Sequence, residues 1–195
     1  NAGQLHSVDV TNPLKPLLFY PDFAQLQILD SKLTLQSSIY LRNFNVIQPV
    51  AVCQSSQGGY WMFDMQDYQL KKIDLSLQLK IESGNVAQTL GYSPVPNFLL
   101  EKDVNVYLNN PSTGILVFDL YGGYIKTIPI TNLKSFQIIG NDLLFVKDNK
   151  MMKHHLKTLQ ENEVMLPAHD SLLSARFEQS KLYLLTTASL SFYSY

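Results

Sequence analysis

The chain has 195 residues, of which 46% are hydrophobic and only 16% charged, enough apolar content to bury a sizeable core and too much for a disordered segment. Fifteen basic residues stand against sixteen acidic ones without a Lys/Arg cluster, so the positive stripe that displaces counterions from nucleic acid is missing. No apolar run approaches the roughly 20 residues of a membrane-spanning helix, and the single Cys53 leaves no intramolecular disulfide to form.

Apolar residues rarely recur at helical spacing. Short runs of Leu, Ile, Val, Phe and Tyr, broken by Asn, Asp, Gly and Pro, instead predict strands. In chain order the first unit reads LHSVDV from Leu5, LLFYPD from Leu17, QLQILD from Gln25 and LTLQSSIYL from Leu33. The second extends from about Asn45 to Asn85 and contains YWMFD from Tyr60 and LQLKIES from Leu77. The third, from about Pro96 to Asn132, contains GILVFD from Gly114 and YIKTIPI from Tyr124. SFQIIG from Ser135, LLFVKD from Leu143, KMMKHHL from Lys150 and NEVMLP from Asn162 make the fourth. A fifth begins near Leu172, contains LYLLTT from Leu182 and shows only three strands.

The copies are spaced roughly 35 to 45 residues apart, within the range of propeller blades. The expected fold class is therefore all-β: a β-propeller of about five four-stranded blades with the last incomplete. It forms one domain over 1–195, with units at about 5–41, 44–85, 96–132, 133–168 and 171–195. Either Gly3 to Val8 supplies the strand missing from the fifth unit, or those residues open the first unit and the closing strand lies upstream of Asn1. The match of LHSVDV…LLFYPD to SFQIIG…LLFVKD favours the second arrangement. Asn1 shows neither an initiator Met nor a signal-peptide pattern, which implies a cleaved leader or a trimmed sequence.

Polar residues read mainly as turn chemistry. Asp30, Asp74 and Asp119 recur at equivalent positions, where a carboxylate satisfies turn N–H groups; Asp64 and Asp67 flank a hairpin and read likewise. Gly122-Gly123, between Tyr121 and Tyr124, predicts a two-residue primed turn. Gly58-Gly59, Gly140-Asn141-Asp142 and Asp148-Asn149 also mark turns, and Asn85 to Pro96 is the longest irregular link.

Adjacent His154 and His155 point to opposite faces of a strand and cannot jointly hold a metal, while His6 and His169 are isolated in sequence. Cys53 lies in an apolar run and reads as a small buried hydrophobe. The chain contains no G-x-S-x-G elbow, phosphate-cradling glycine loop or H-E-x-x-H, and Pro111 spoils Asn110 as a glycosylation acceptor. No catalytic residue, metal ligand or cofactor is assigned, and the expectation is a protein that is not an enzyme. Aromatics concentrate in units two and three. Tyr60, Trp61, Tyr92, Pro94, Pro96 and Tyr121 are the candidate partner interface, since exposed aromatics near loops serve contacts.

DVTNPLKPLLFYPDFAQLQILDSKL from Asp9 and YLNNPSTGILVFDLYGGYIKTI from Tyr107 resemble a family of exported β-propeller proteins of the Bacteroidetes. The resemblance implies further sequence before Asn1, including a signal peptide and more strands. This family is taken to include the plug subunit of the type IX secretion translocon. That implies a periplasmic protein held against an outer-membrane β-barrel, closing its mouth without nucleic acid, direct membrane insertion or catalysis. No family binding residue is carried over. An outer-membrane assembly scaffold, or a propeller enzyme or ligand sensor with a central-channel site, are the alternatives.

Overall fold

A computed structural model of the chain, which describes residues 3–194, is built from five antiparallel sheets whose strands follow one another in sequence order. β1 (Ser7–Asp9), β2 (Leu17–Tyr20), β3 (Gln25–Leu29) and β4 (Leu35–Tyr40) form the first sheet. β5 (Pro49–Gln54), β6 (Tyr60–Asp64), β7 (Gln69–Ile73) and β8 (Leu79–Glu82) form the second. A one-turn helix, α1 (Val86–Leu90), leads to β9 (Phe98–Lys102), β10 (Asn105–Asn110), β11 (Gly114–Asp119) and β12 (Tyr124–Ile128). β13 (Gln137–Ile139), β14 (Asp142–Lys147), β15 (Lys150–His155) and β16 (Glu161–Val164) are the fourth sheet. β17 (Leu172–Glu178), β18 (Lys181–Thr186) and β19 (Leu190–Ser194) complete the set with three strands among the described residues.

The fold is the five-bladed β-propeller expected, and Ser7–Asp9 is the first strand of the first blade. The blades fall into two compact units, one up to Thr131 with three blades and one from Asn132 with two. The division lies at the junction of the third and fourth repeats.

In the first unit, alternation along each strand produces two apolar faces. Leu17, Phe19, Leu26 and Ile28 pack with Val52, Met62 and Ile73 between the first and second sheets. The residues in between, Ala51, Cys53, Trp61, Phe63 and Leu70, pack the other way, against Leu99, Val106, Leu116 and Phe118 of the third sheet. A strand covered on both sides reads as a continuous apolar run because neither set of alternate residues meets water. Complete burial of a side chain such as Phe19 or Phe63 is worth roughly 1.5–3 kcal/mol. Cys53 lies inside this packing, and burial pushes its thiol pKa well above the ordinary range.

Polar ties join the first strands of neighbouring blades. The Asp9 carboxylate accepts the N–H of Gln54 at 2.7 Å. Glu101, on β9, accepts the N–H of Ser56 at 2.8 Å, the Ser56 hydroxyl and the indole N–H of Trp61. Burial alone would raise the Glu101 pKa, but the Ser56 and Ser55 hydroxyls, the Ser56 N–H and Trp61 outweigh it and hold the acid below its usual range.

Asp64 organises the entry to β5. Its carboxylate accepts the N–H groups of Ile47 (2.9 Å), Gln48 (2.8 Å) and Gln66 (3.2 Å) and pairs with Lys71 at 3.0 Å. Lys71 also reaches Asp67 and the Asn45 carbonyl. Asp64 and Lys71 are both buried, so the turn role expected of this acid is only part of what it does. Burial would raise the Asp64 pKa, but the Ile47 and Gln48 N–H groups, Lys71 and Gln66 together lower it.

The link from Asn85 to Pro96 is more ordered than its sequence suggests. The Asn85 side chain accepts the N–H of Gln88 and caps α1, and Gly91 ends it in the left-handed region at φ 75°.

In the second unit, Leu144 and Met151 of the fourth sheet pack with Leu172, Ala175, Leu182 and Leu184 of the fifth. Two side chains tie β17 to its neighbour. The Gln137 amide accepts the N–H of Phe177 (3.1 Å) and donates to its carbonyl (2.6 Å), and Asn149 Oδ1 accepts the N–H of Leu172. Before β17, the ring nitrogens of His169 face the carbonyls of Pro167 (2.7 Å) and Asn149 (3.2 Å). A neutral imidazole has one N–H, whereas the imidazolium satisfies both carbonyls. These two contacts, aided by Asp170, raise the His169 pKa above its ordinary 6.5.

Two outcomes follow from these contacts. Asp64→Ala should destabilise the first unit in urea melts by about 1–3 kcal/mol for each buried donor left without its acceptor, the N–H groups of Ile47 and Gln48, while Lys71 keeps Asp67 and the Asn45 carbonyl. A depressed carboxyl pKa adds stability above the unfolded value of 3.8 that is lost as pH falls through the folded value. The acid transition of the wild type should therefore contain a component missing from Asp64→Ala. For His169 the sign reverses. The raised pKa adds stability that is complete below 6.5 and lost as pH rises through the folded value. Amide exchange in β17, corrected for intrinsic base catalysis, should speed up across that rise, and His169→Gln should flatten the dependence.

Candidate interaction surface

The turn from the third to the fourth strand is built the same way in successive blades. Asp30 Oδ1 accepts the N–H groups of Lys32 and Thr34, both at 2.8 Å, while Leu33 N–H donates to the Asp30 carbonyl. Asp74 accepts the N–H of Gln78 at 2.9 Å, with Leu77 N–H on its carbonyl. Asp119 accepts Tyr121 and Gly123, both at 2.8 Å, with Gly122 N–H on its carbonyl. Each loop turns through one left-handed residue: Leu33 (φ 62°), Leu77 (φ 59°) or Gly122 (φ 83°). The hydrogen bonds to neighbouring N–H groups lower the pKa of Asp30 and Asp74. The repeated aspartates are thus turn caps, as their spacing predicts.

The Gly122-Gly123 pair, however, does not make a two-residue primed turn. Only Gly122 has positive φ, and the loop is the three-residue type with a left-handed third residue. A Cβ on Gly122 would press on Ile81 of β8 and on Ser83 just after it, so the tip lies against the preceding blade. Asp148-Asn149 is the genuine two-residue turn, with φ 50° and 62° and Lys147 paired to Lys150.

In the fourth blade His155 takes the place of aspartate. Its Nδ1 accepts the N–H groups of Lys157 (3.3 Å) and Thr158 (3.0 Å), and Leu159, at φ 60°, donates to the His155 carbonyl. His154 points away and is buried. The two histidines are therefore divided between a core position and a turn cap.

These turns leave large apolar side chains in solvent. In three consecutive blades of the first unit, Leu33 is 69% exposed, Leu75 70% and Tyr121 85%. Neighbouring Tyr124 rests edge-on against Phe118 and bonds Thr127 through its hydroxyl at 2.8 Å, and Ile125 beside it is exposed.

Of the six residues selected from sequence, Tyr121 belongs to this surface. Tyr92 is partly exposed, with its hydroxyl bonded to Thr113 Oγ1 at 2.8 Å. Tyr60 is half-buried against the core between the first and second sheets, and burial raises its pKa. Trp61 is wholly buried and bonded to Glu101, and Pro94 and Pro96 are also buried, so these three present no surface in the chain. Leu33 and Leu75, which do, were not selected because an isolated Leu beside a turn has no distinguishing sequence pattern.

Among the described residues no group of three or more His, Cys, Asp and Glu side chains is placed to hold a metal ion. Among the same residues no helix is long and apolar enough to cross a membrane. Because His155 fills an aspartate position, His155→Asp should restore the cap of the other blades and raise the melting temperature, while Asp119→Ala should lower it. Calorimetry of the two variants checks both directions.

No protein-family model and no curated protein sequence matches the chain. Solved structures do. A catalytically inactive virginiamycin B lyase from Staphylococcus aureus with quinupristin aligns at TM-score 0.64 and 13% identity, over 98% of this chain and 70% of that one. A streptogramin B lyase aligns at TM-score 0.60 and 13% identity, over 97% and 68%. A protein of unknown function from Bacteroides caccae aligns at TM-score 0.66 and 10% identity, over 95% and 72%. Likeness at such identities is one of fold, and what the chain shares with these proteins is the propeller architecture.

Proposed function

We propose that this chain is a protein-binding propeller acting by contact rather than catalysis, a periplasmic plug seated against the outer-membrane β-barrel of the type IX secretion translocon. The observation that carries the reading is the recurrence of exposed Leu33, Leu75 and Tyr121 at the same turn in three consecutive blades. A solvated apolar side chain on a backbone already fixed by hydrogen bonds loses little conformational freedom on docking. Of the three, Tyr121 is the residue type that dominates interface energetics. The resemblance of the Asp9 and Tyr107 stretches to exported Bacteroidetes propellers supplies the partner class. The low share of charged residues is compatible with surface that is covered in the assembly.

The test is site-specific photocrosslinking from position 121 in envelope membranes, with a probe at the buried position 61 as control. Crosslinks from position 121 to the barrel subunit are expected. Their loss when Leu33 and Leu75 are both changed to Ser in a protein that still folds would assign the contact to this row. Free protein alone, with no crosslinked barrel, would refute the reading.

A further inference from the structure

Between the fourth and fifth sheets of the second unit lies a cleft of about 260 Å³. Its two ends are set by the side-chain ties already described, since Asn149 holds β17 at Leu172 and Gln137 holds it at Phe177. The intervening residues, Leu173 to Arg176, line the space, and a register shift between Leu172 and Ser174 loosens the strand there. The floor is apolar, formed by Leu144, Leu172 and Ala175 of the core.

The charge around this cleft is one-sided. Lys134, Lys147 and Arg176 line it against a single carboxylate, Asp148. None of the three cations has an ion-pair partner among the described residues. Some cations elsewhere are paired, buried Lys71 with two aspartates, Lys80 with Asp74 and Lys150 with Glu163. Hydroxyl and amide groups of Ser135, Ser174 and Asn132 add donors on the same walls. A lined cleft with an apolar floor and a few converging polar groups is the usual form of a small-molecule site. Guanidinium and ammonium groups make their strongest hydrogen bonds to oxyanions.

We infer that this cleft is a binding site for a small oxyanion, a carboxylate or phosphate group on a compact body, held by Lys134, Lys147 and Arg176. The site is separate from the exposed turns and does not depend on the protein partner. Its volume limits the ligand to a metabolite-sized molecule and excludes a polymer inside the cleft.

The test is titration of the folded chain with inorganic phosphate and, separately, succinate, followed by amide chemical shifts. Sodium chloride at equal ionic strength is the control. Saturable shifts of Gln137, Ser174 and Arg176 are expected, with half-saturation at or below about 1 mM. Lys147→Gln and Arg176→Gln change exposed side chains, and each should raise the half-saturation concentration about tenfold, the weight of one charge-assisted hydrogen bond. Lys157→Gln, in the turn after β15, should change nothing. Response to phosphate alone assigns a phosphoryl ligand, and response to succinate alone a carboxylate. Shifts no larger than those in chloride, or shifts unaffected by both substitutions, would overturn the site.

Discussion

Among the described residues no ladder of backbone hydrogen bonds crosses from one sheet to the next, because every sheet pairs its own strands. Within each unit, contact between neighbouring blades is therefore carried by side chains, and this constraint organises both units. The apolar faces supply the bulk of the attraction by interdigitating across the gap, as Met62 does toward the first sheet and Trp61 and Phe63 toward the third. That contact is non-directional and leaves unpaired the outward backbone N–H groups of each first strand. Asp9, Glu101 and Gln137 answer this need by accepting hydrogen bonds from Gln54, Ser56 and Phe177. The low charge content follows from the same constraint, since sheets covered on both sides offer few sites for a solvated side chain.

The second recurring element, the capped turn, connects folding to surface. A carboxylate that takes up the turn's N–H groups leaves some tip side chains free of core packing, although Leu77 and Leu120 of the same turns rest against the apolar clusters. The side chains left free can then be chosen without regard to the core. Leu33, Leu75 and Tyr121 show that the choice fell on apolar groups, contrary to the polar residues a bare hairpin favours. His155 shows how tolerant the device is: it requires an acceptor at the right place, and the imidazole Nδ1 supplies one as the carboxylate does.

Much of this was legible in the sequence. The order of the strands, the three-strand fifth blade and the role of Asp30, Asp74 and Asp119 all follow from local pattern, because strands and hairpins are local objects. What the sequence did not disclose was facing. In YWMFD every residue looks equally apolar, so Trp61 could be taken for surface although it is the donor to Glu101, forty positions away. Pro94 and Pro96 suggested an exposed link, yet they are buried in an ordered connection capped by Asn85. Lys71 sits in QLKKI as a strand-edge lysine would, and only its partners Asp64 and Asp67 explain why it is buried. The cleft between the last two blades was the least legible, since Lys134, Lys147 and Arg176 come from three separate segments and share no motif.

The side chains that tie neighbouring blades differ in charge between the two units. Between the second and third sheets the tie is a carboxylate, Glu101, whose negative charge sits near Lys72 and the Trp61 ring on which that lysine rests, 5.2 Å from the ring centre. Between the fourth and fifth sheets the tie is the amide of Gln137, which forms the same kind of backbone contact but contributes no charge. An amide makes as good a clamp, so stability alone does not demand the neutral residue. Among the residues that line the neighbouring cleft, the positive charges of Lys134, Lys147 and Arg176 face one carboxylate, Asp148. Cations lining a cleft repel one another and raise the free energy of the empty protein, whereas a bound oxyanion removes the repulsion. A gap pinned at both ends and lined by excess positive charge is therefore better suited to occupancy than to close packing.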